Sequence, residues 1–289
     1  MLLSYFRKID AYSGIRIFAL AFMALALTGI DAAFEWERLL LATVLGAAWL
    51  FLSWTVMRDH WVMHGTLFRY LIFVMLTVYW SAEYYLTDFL FIGLVFELNW
   101  HLIELHRRKS KTLYVLHSGT LTAIAGLWSP DEVVGIIAPA VVLTWLVSGV
   151  LNMRTLLQWG LAFVLPTAVL YGLGKVELDQ IRYTGSSAPV SWWILPIVLA
   201  VFALFEWFKS YKKVNQMNKS RVMVAGFWLL LGAVAALIGT VSGGVLFFLG
   251  LSFHLTNGLR HLKNERLANL LVVGLSIFIL STYFNLILW

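Results

Sequence analysis

An all-α, polytopic transmembrane bundle of about eleven spans is the fold class this sequence predicts, and three observations predict it. Of 289 residues, 61% are hydrophobic and only 12% charged, where a soluble domain carries roughly 25% charged residues. Apolar runs recur at close to the ~20 helical residues needed to cross a ~30 Å hydrocarbon core. Basic residues gather in alternate connections between those runs, as the positive-inside rule requires of a multi-spanning chain. No long polar stretch interrupts the pattern, so the chain reads as one integral membrane domain over 1–289.

The runs cover 14–30, 39–57, 66–82, 89–105, 113–128, 133–151, 156–174, 191–208, 221–239, 243–259 and 267–288. Runs of this length favour helices, because a helix satisfies its backbone hydrogen bonds within the segment. The first run follows Arg7 and Lys8 in the manner of a signal peptide, but it lacks a small-x-small cleavage site and leads into Asp31 and Phe34. It reads as a retained anchor. Runs three and four are separated only by Glu83 to Asp88, a tight turn. Pro139, Pro166 and Pro196 fall inside runs six, seven and eight, where each frees a carbonyl and can kink its helix. Gly172, Gly174, Gly243 and Gly244 sit near run ends and mark loops rather than a dimerisation face.

Charge sets the orientation. Arg7, Lys8 and Arg16; Arg58 and Arg69; Arg107, Arg108, Lys109 and Lys111; Arg154; Lys209, Lys212, Lys213, Lys219 and Arg221; and Arg260, Lys263 and Arg266 fall on one side. That leaves only Arg38, Lys175 and Arg182 of the 21 basic residues on the other. The expected topology is N-terminus cytoplasmic and C-terminus periplasmic in a cell inner membrane. Asp31, Glu35, Glu37, Glu83, Asp88, Asp131, Glu132, Glu177 and Asp179 occupy the opposite loops. The net charge of +6 thus belongs to cytoplasmic loops facing anionic lipid headgroups, and no nucleic-acid partner is expected. Tryptophans such as Trp36, Trp54, Trp100, Trp128 and Trp289 lie near run ends, as an aromatic belt places them. The absence of cysteine excludes disulfides, thiolate ligands and iron–sulfur clusters. No phosphate-binding loop, dinucleotide fingerprint or nucleophile elbow occurs.

Several segments carry a resemblance. They are Met1 to Lys8 leading into a helix, Leu105-His-Arg-Arg-Lys-Ser-Lys111, Trp128-Ser-Pro130, and Phe253-His-Leu-Thr-Asn-Gly-Leu-Arg260 with Glu265-Arg266 before the last run. In layout the chain is similar to an uncharacterised multi-spanning inner-membrane family of Bacteroidetes type, a domain of unknown function. The resemblance implies an inner-membrane envelope protein and supplies no catalytic residues.

Ionisable residues within apolar runs are the functional candidates, because burying charge in lipid costs several kcal/mol unless it is paired. Glu97, His101 and Glu104 follow i, i+4, i+7 spacing on one face of the fourth run, with Glu97 roughly 12 Å from its cytoplasmic end. Such a face, with His254 opposite it, can relay a proton or bind a ligand; the alternative is a packed Glu–His hydrogen bond between helices. All seven histidines fall in the cytoplasmic half, and His60 with His64 forms His-x-x-x-His. With His101 this set can ligate zinc or iron, or it is an interfacial arrangement beside Arg58 and Trp61. No cofactor is otherwise expected. Asp31 and Glu35 after the first run are acidic outer-loop candidates of the kind polytopic glycosyltransferases use, or a solvated acidic loop.

Three classes of function stay open. The first is a transporter-like or lipid-linked-glycan-handling protein of envelope biogenesis. The second is a non-catalytic subunit that binds other membrane subunits. The third is a membrane enzyme of glycosyltransferase or histidine–metal type.

Overall fold

The computed structural model describes residues 40–41, 43–48, 69–70, 72–73, 76–77, 86–127, 129, 132–174, 190–214, 216–261 and 273–274. The described residues are helical, with no strand among them. In order they form α1 (Leu86–Lys109), α2 (Thr112–Ile124), a 3-10 turn (Ala125–Leu127), a π-helical turn (Val133–Ile137), α3 (Ala138–Val147), α4 (Met153–Gly172), α5 (Val190–Lys213), α6 (Gln216–Leu237) and α7 (Val241–His261). These correspond one for one to the predicted runs from 89 to 259. Of the earlier and final runs, 40–41, 43–48, 69–70, 72–73, 76–77 and 273–274 are helical; run 14–30 lies outside the described residues.

Within the described residues, Thr87–Lys109, Met153–Gly172 and Lys219–Leu237 are long and apolar enough to cross a membrane. Thr112–Leu127 and Val133–Val147 are shorter apolar helices. This fits a membrane protein.

Local chemistry explains the helix ends. Asn152 caps α4, its side chain accepting from the Thr155 N–H while the Thr155 hydroxyl accepts from the Asn152 N–H, a reciprocal capping box. Gly174 ends the same helix at φ 66°, a left-handed geometry that glycine adopts without strain. Thr240 opens α7, its hydroxyl accepting from the Gly243 N–H at 3.2 Å. Pro139 does not kink a continuous helix as its position in run six suggested. It sits in the first turn of α3, directly after the π-helical turn, where the Ala138 N–H reaches Val133 O. Proline offers no N–H to the carbonyl four residues back, and the wider turn lies over that gap.

Two compact units emerge, a terminal one (Met1–Leu90, Leu195–Glu206, Leu251–Trp289) and a mid-chain one (Phe91–Ile194, Trp207–Gly250). In the mid-chain unit α2 packs on α4 and α3 on α6. Gly119 makes the first approach possible, since a Cβ there would stand 2.5 Å from Trp159 O. Thr155, Trp159, Phe163 and Thr167 form the buried stripe of α4, while Leu157, Leu161, Leu165 and Val169 are exposed. α6 and the first half of α7 pack antiparallel with almost no side chain between them. A Cβ on Gly232 would lie 2.1 Å from Phe247 N, one on Gly243 2.5 Å from Ala236 N, and one on Gly250 2.5 Å from Leu229 N. Gly243 therefore does more than mark a loop. Small residues at helix crossings let backbones make the van der Waals contact that holds helices together in lipid.

Candidate functional site

Both carboxylates of the predicted face on α1 are buried, Glu97 at 3% exposure and Glu104 at 5%. His101 between them is half-buried. Glu104 accepts a hydrogen bond from the Arg221 guanidinium of α6 at 2.5 Å, and Arg107 stands 4.0 Å away on the same helix. Arg107 in turn donates to the Ser220 hydroxyl. Arg221, expected in a cytoplasmic connection, is itself buried, because the carboxylate a helix away neutralises it. Glu104 thus belongs to a charged clamp joining the end of α1 to the start of α6.

Glu97 lies two helical turns deeper, beside Phe96, which faces Trp228 with ring centroids 6.2 Å apart. Trp100 meets the same indole edge-on at 5.0 Å. The Trp228 N–H donates to the Thr144 hydroxyl at 2.9 Å, which donates to Ala140 O at 2.7 Å. Asn99 anchors a second polar knot. Its amide donates to Val95 O at 2.9 Å and its carbonyl accepts from the Ser118 hydroxyl at 2.5 Å. That hydroxyl accepts from the Trp145 and Trp159 indoles at 3.0 and 3.1 Å. One donor and two lone pairs are all a serine offers, and Ser118 uses all three.

Glu132 was counted among the acids of the outer loops. Its two carboxylate oxygens accept from the Val241 and Ser242 N–H groups at 2.8 and 2.7 Å. It satisfies two of the unpaired donors at the start of α7, where the helix dipole favours negative charge.

His254 lies in the terminal unit, on the second half of α7, fully buried. Its imidazole stands edge-on to the Phe253 ring at 5.3 Å, and the Arg69 guanidinium lies over that ring at 5.7 Å. Arg69 is only 2% exposed, although its charge suggested a loop. From α5, Glu206 packs against Gly258, where a Cβ would stand 2.8 Å from Glu206 Cγ. The Tyr70 hydroxyl donates to Gly46 O at 2.9 Å.

His60, His64, Asp31 and Glu35 lie outside the described residues. Among the described residues no three histidine or carboxylate side chains gather to hold a metal ion, and His101 joins no such group. Sequence reasoning missed Glu206, although an acid inside run 191–208 was signal enough. It also missed the partnership of Arg221 with Glu104 and the Ser118 knot, for which one-dimensional spacing holds no signal.

No family model matches the chain, and no curated protein or solved structure matches it either.

Proposed function

We propose that the chain is a polytopic inner-membrane protein of cell-envelope biogenesis that moves or handles a lipid or lipid-linked glycan in transporter fashion. In this reading it has about eleven spans, a cytoplasmic N-terminus and a periplasmic C-terminus. The observation that carries the reading is Glu97, a carboxylate at 3% exposure inside an apolar helix of 23 residues. Packing alone is served as well by an apolar residue, since even a paired buried charge recovers little more than its desolvation cost. An ionisable group held at that depth is therefore a site for a proton or a polar substrate group. The envelope part of the reading rests on the resemblance in sequence layout to the Bacteroidetes-type family.

Three links between distant segments fit the alternation of sides in this reading. Glu104 with Arg221, and Arg107 with Ser220, join helix ends that the charge alternation assigns to the cytoplasmic side. Glu132 joins α7 where both segments are assigned to the outer side. The cations around the first two links face the anionic headgroups of the inner leaflet. A second reading, a non-catalytic subunit of an envelope complex, draws on α4, whose span is only 17% buried.

The test is Glu97→Gln in cells depleted of the chain, scored by envelope integrity, with the purified variant's melting temperature measured beside it. Loss of rescue at unchanged melting supports the proposal. Full rescue, or a loss matched by instability, overturns it. Co-purification of a stoichiometric partner that α4 substitutions abolish favours the subunit reading.

A further inference from the structure

Two turns of the mid-chain unit concentrate positive charge. The stretch 104–111, where α1 passes into α2, holds four lysines and arginines, and the stretch 207–221, where α5 passes into α6, holds five. Glu104 is the one acid in either stretch, and the Arg221 guanidinium bonds it at 2.5 Å. That bond does more than neutralise a pair, because it sets the two basic turns side by side. The Arg107 guanidinium repeats the tie by donating to the Ser220 hydroxyl. Lys219 carries it on to the end of α5, its ammonium lying over the Tyr211 ring at 5.5 Å. Trp207 seats that end of α5 on α6, since a Cβ on Gly226 would stand 2.2 Å from its ring. The first turn is closed by its own bonds: the Ser110 N–H donates to His106 O at 2.6 Å, and His106 Nδ1 donates to Lys111 O at 3.0 Å. Lys109 and Lys111 on one turn and Lys212 and Lys213 on the other are exposed.

Apolar surface begins where these cations end. Leu113 and Leu116 of α2 and Phe208 of α5 are exposed beside them. The joined ends also belong to Thr87–Lys109 and Lys219–Leu237, helices long and apolar enough to cross a membrane, so the lysines stand where a hydrocarbon core gives way to headgroups. A soluble anion makes use of the cations alone. A molecule with a phosphate at one end and acyl chains at the other makes use of both surfaces.

We infer that the two turns form one docking surface for an acidic phospholipid, with its phosphate at the four exposed lysines and its acyl chains along the apolar faces next to them. Loose cations on separate loops attract acidic headgroups in general; here the clamp of α1 on α6 joins them into a single seat. The inference rests on α1 and α6 crossing a membrane. It holds whether or not the Glu97 face moves a substrate.

Native mass spectrometry of the full chain, released from detergent micelles holding equal amounts of phosphatidylglycerol and phosphatidylcholine, reads which lipid stays bound. Phosphatidylglycerol should be retained in preference. Each lysine removed should lower that preference by about fivefold, the equivalent of roughly 1 kcal/mol per cation at an anionic surface. Lys109→Gln/Lys111→Gln and Lys212→Gln/Lys213→Gln should both show the loss at unchanged melting temperature, because all four side chains are exposed. Lys175→Gln/Arg182→Gln, which removes as much charge from connections that the alternation assigns to the opposite side, should keep the preference. No preference in the parent chain, an equal loss in that control, or displacement of the lipid by inorganic phosphate overturns the proposal. Loss with only one of the two lysine pairs overturns the single joined surface.

Discussion

Removing Arg221 tests whether Glu104 is structural. In Arg221→Met the 2.5 Å hydrogen bond is lost and a carboxylate at 5% exposure stays behind. Breaking a buried pair from one side costs about 3–5 kcal/mol. Arg107 stands 4.0 Å away with a side chain 32% exposed, and such a half-solvated pair returns about 0–1 kcal/mol. The net expectation is a loss of about 3 kcal/mol. Glu104→Gln should also destabilise, since it removes the charge that the buried Arg221 guanidinium bonds at 2.5 Å. The double variant removes both charges and should recover most of the loss, because an apolar replacement of a buried pair is often neutral. Equilibrium unfolding in mixed detergent micelles, run as a double-mutant cycle, gives the coupling energy. Additive effects of the two single changes, or singles indistinguishable from the parent chain, would refute the clamp.

Three other outcomes follow from the same geometry. Ser118→Ala strips two indole N–H groups of their acceptor and Asn99 of a donor, and should cost about 3–9 kcal/mol for the three groups at the usual 1–3 kcal/mol per orphaned buried group, measured by the same unfolding assay. Gly232→Ala places a Cβ 2.1 Å from Phe247 N and should cost at least the roughly 1–3 kcal/mol of an overpacked core; Gly160→Ala, with nothing within 4 Å, should be neutral or gain up to about 1 kcal/mol of helix propensity. Because the chain has no cysteine, single introduced thiols report topology without background: a membrane-impermeant maleimide on spheroplasts should label Leu173→Cys and spare Lys111→Cys, and the reverse pattern would invert the proposed orientation.

Helix positions between 89 and 259 were legible from apolar run length because lipid demands it of each helix separately. The runs 156–174 and 221–239, for example, became Met153–Gly172 and Gln216–Leu237. Partners were not legible, because they depend on which helices meet. Arg221 and Glu104 are 117 residues apart, and Glu132 reaches a helix start 110 residues on. Arg69 and Arg221 were both counted as loop cations, since a charge at a run's edge looks the same in sequence whether it faces water or a buried ring. The π-helical turn was hidden for a related reason. Pro139 announces a missing donor, but only the packing around it decides whether the chain kinks or widens.

The two acids of the α1 face carry different predictions. Glu97 and Glu104 share a face seven residues apart, or about 10 Å along the helix at 1.5 Å per residue. Glu104 lies within the last two turns, where cations from α1 and α6 converge at the helix ends, and a guanidinium that enters from the end of a neighbouring helix neutralises it. Arg221 makes its contact at that end, and both of its turn's neighbours on α1, Arg107 and Arg108, are exposed. Glu97 sits two turns deeper, at 3% exposure. A change at position 104 should therefore be read first in stability and only through it in activity. A change at position 97 should be read in activity while the fold survives. If Glu97→Gln and Glu104→Gln instead produced the same balance of lost stability and lost activity, depth along the helix would not be what separates them, and the whole face would belong to the clamp.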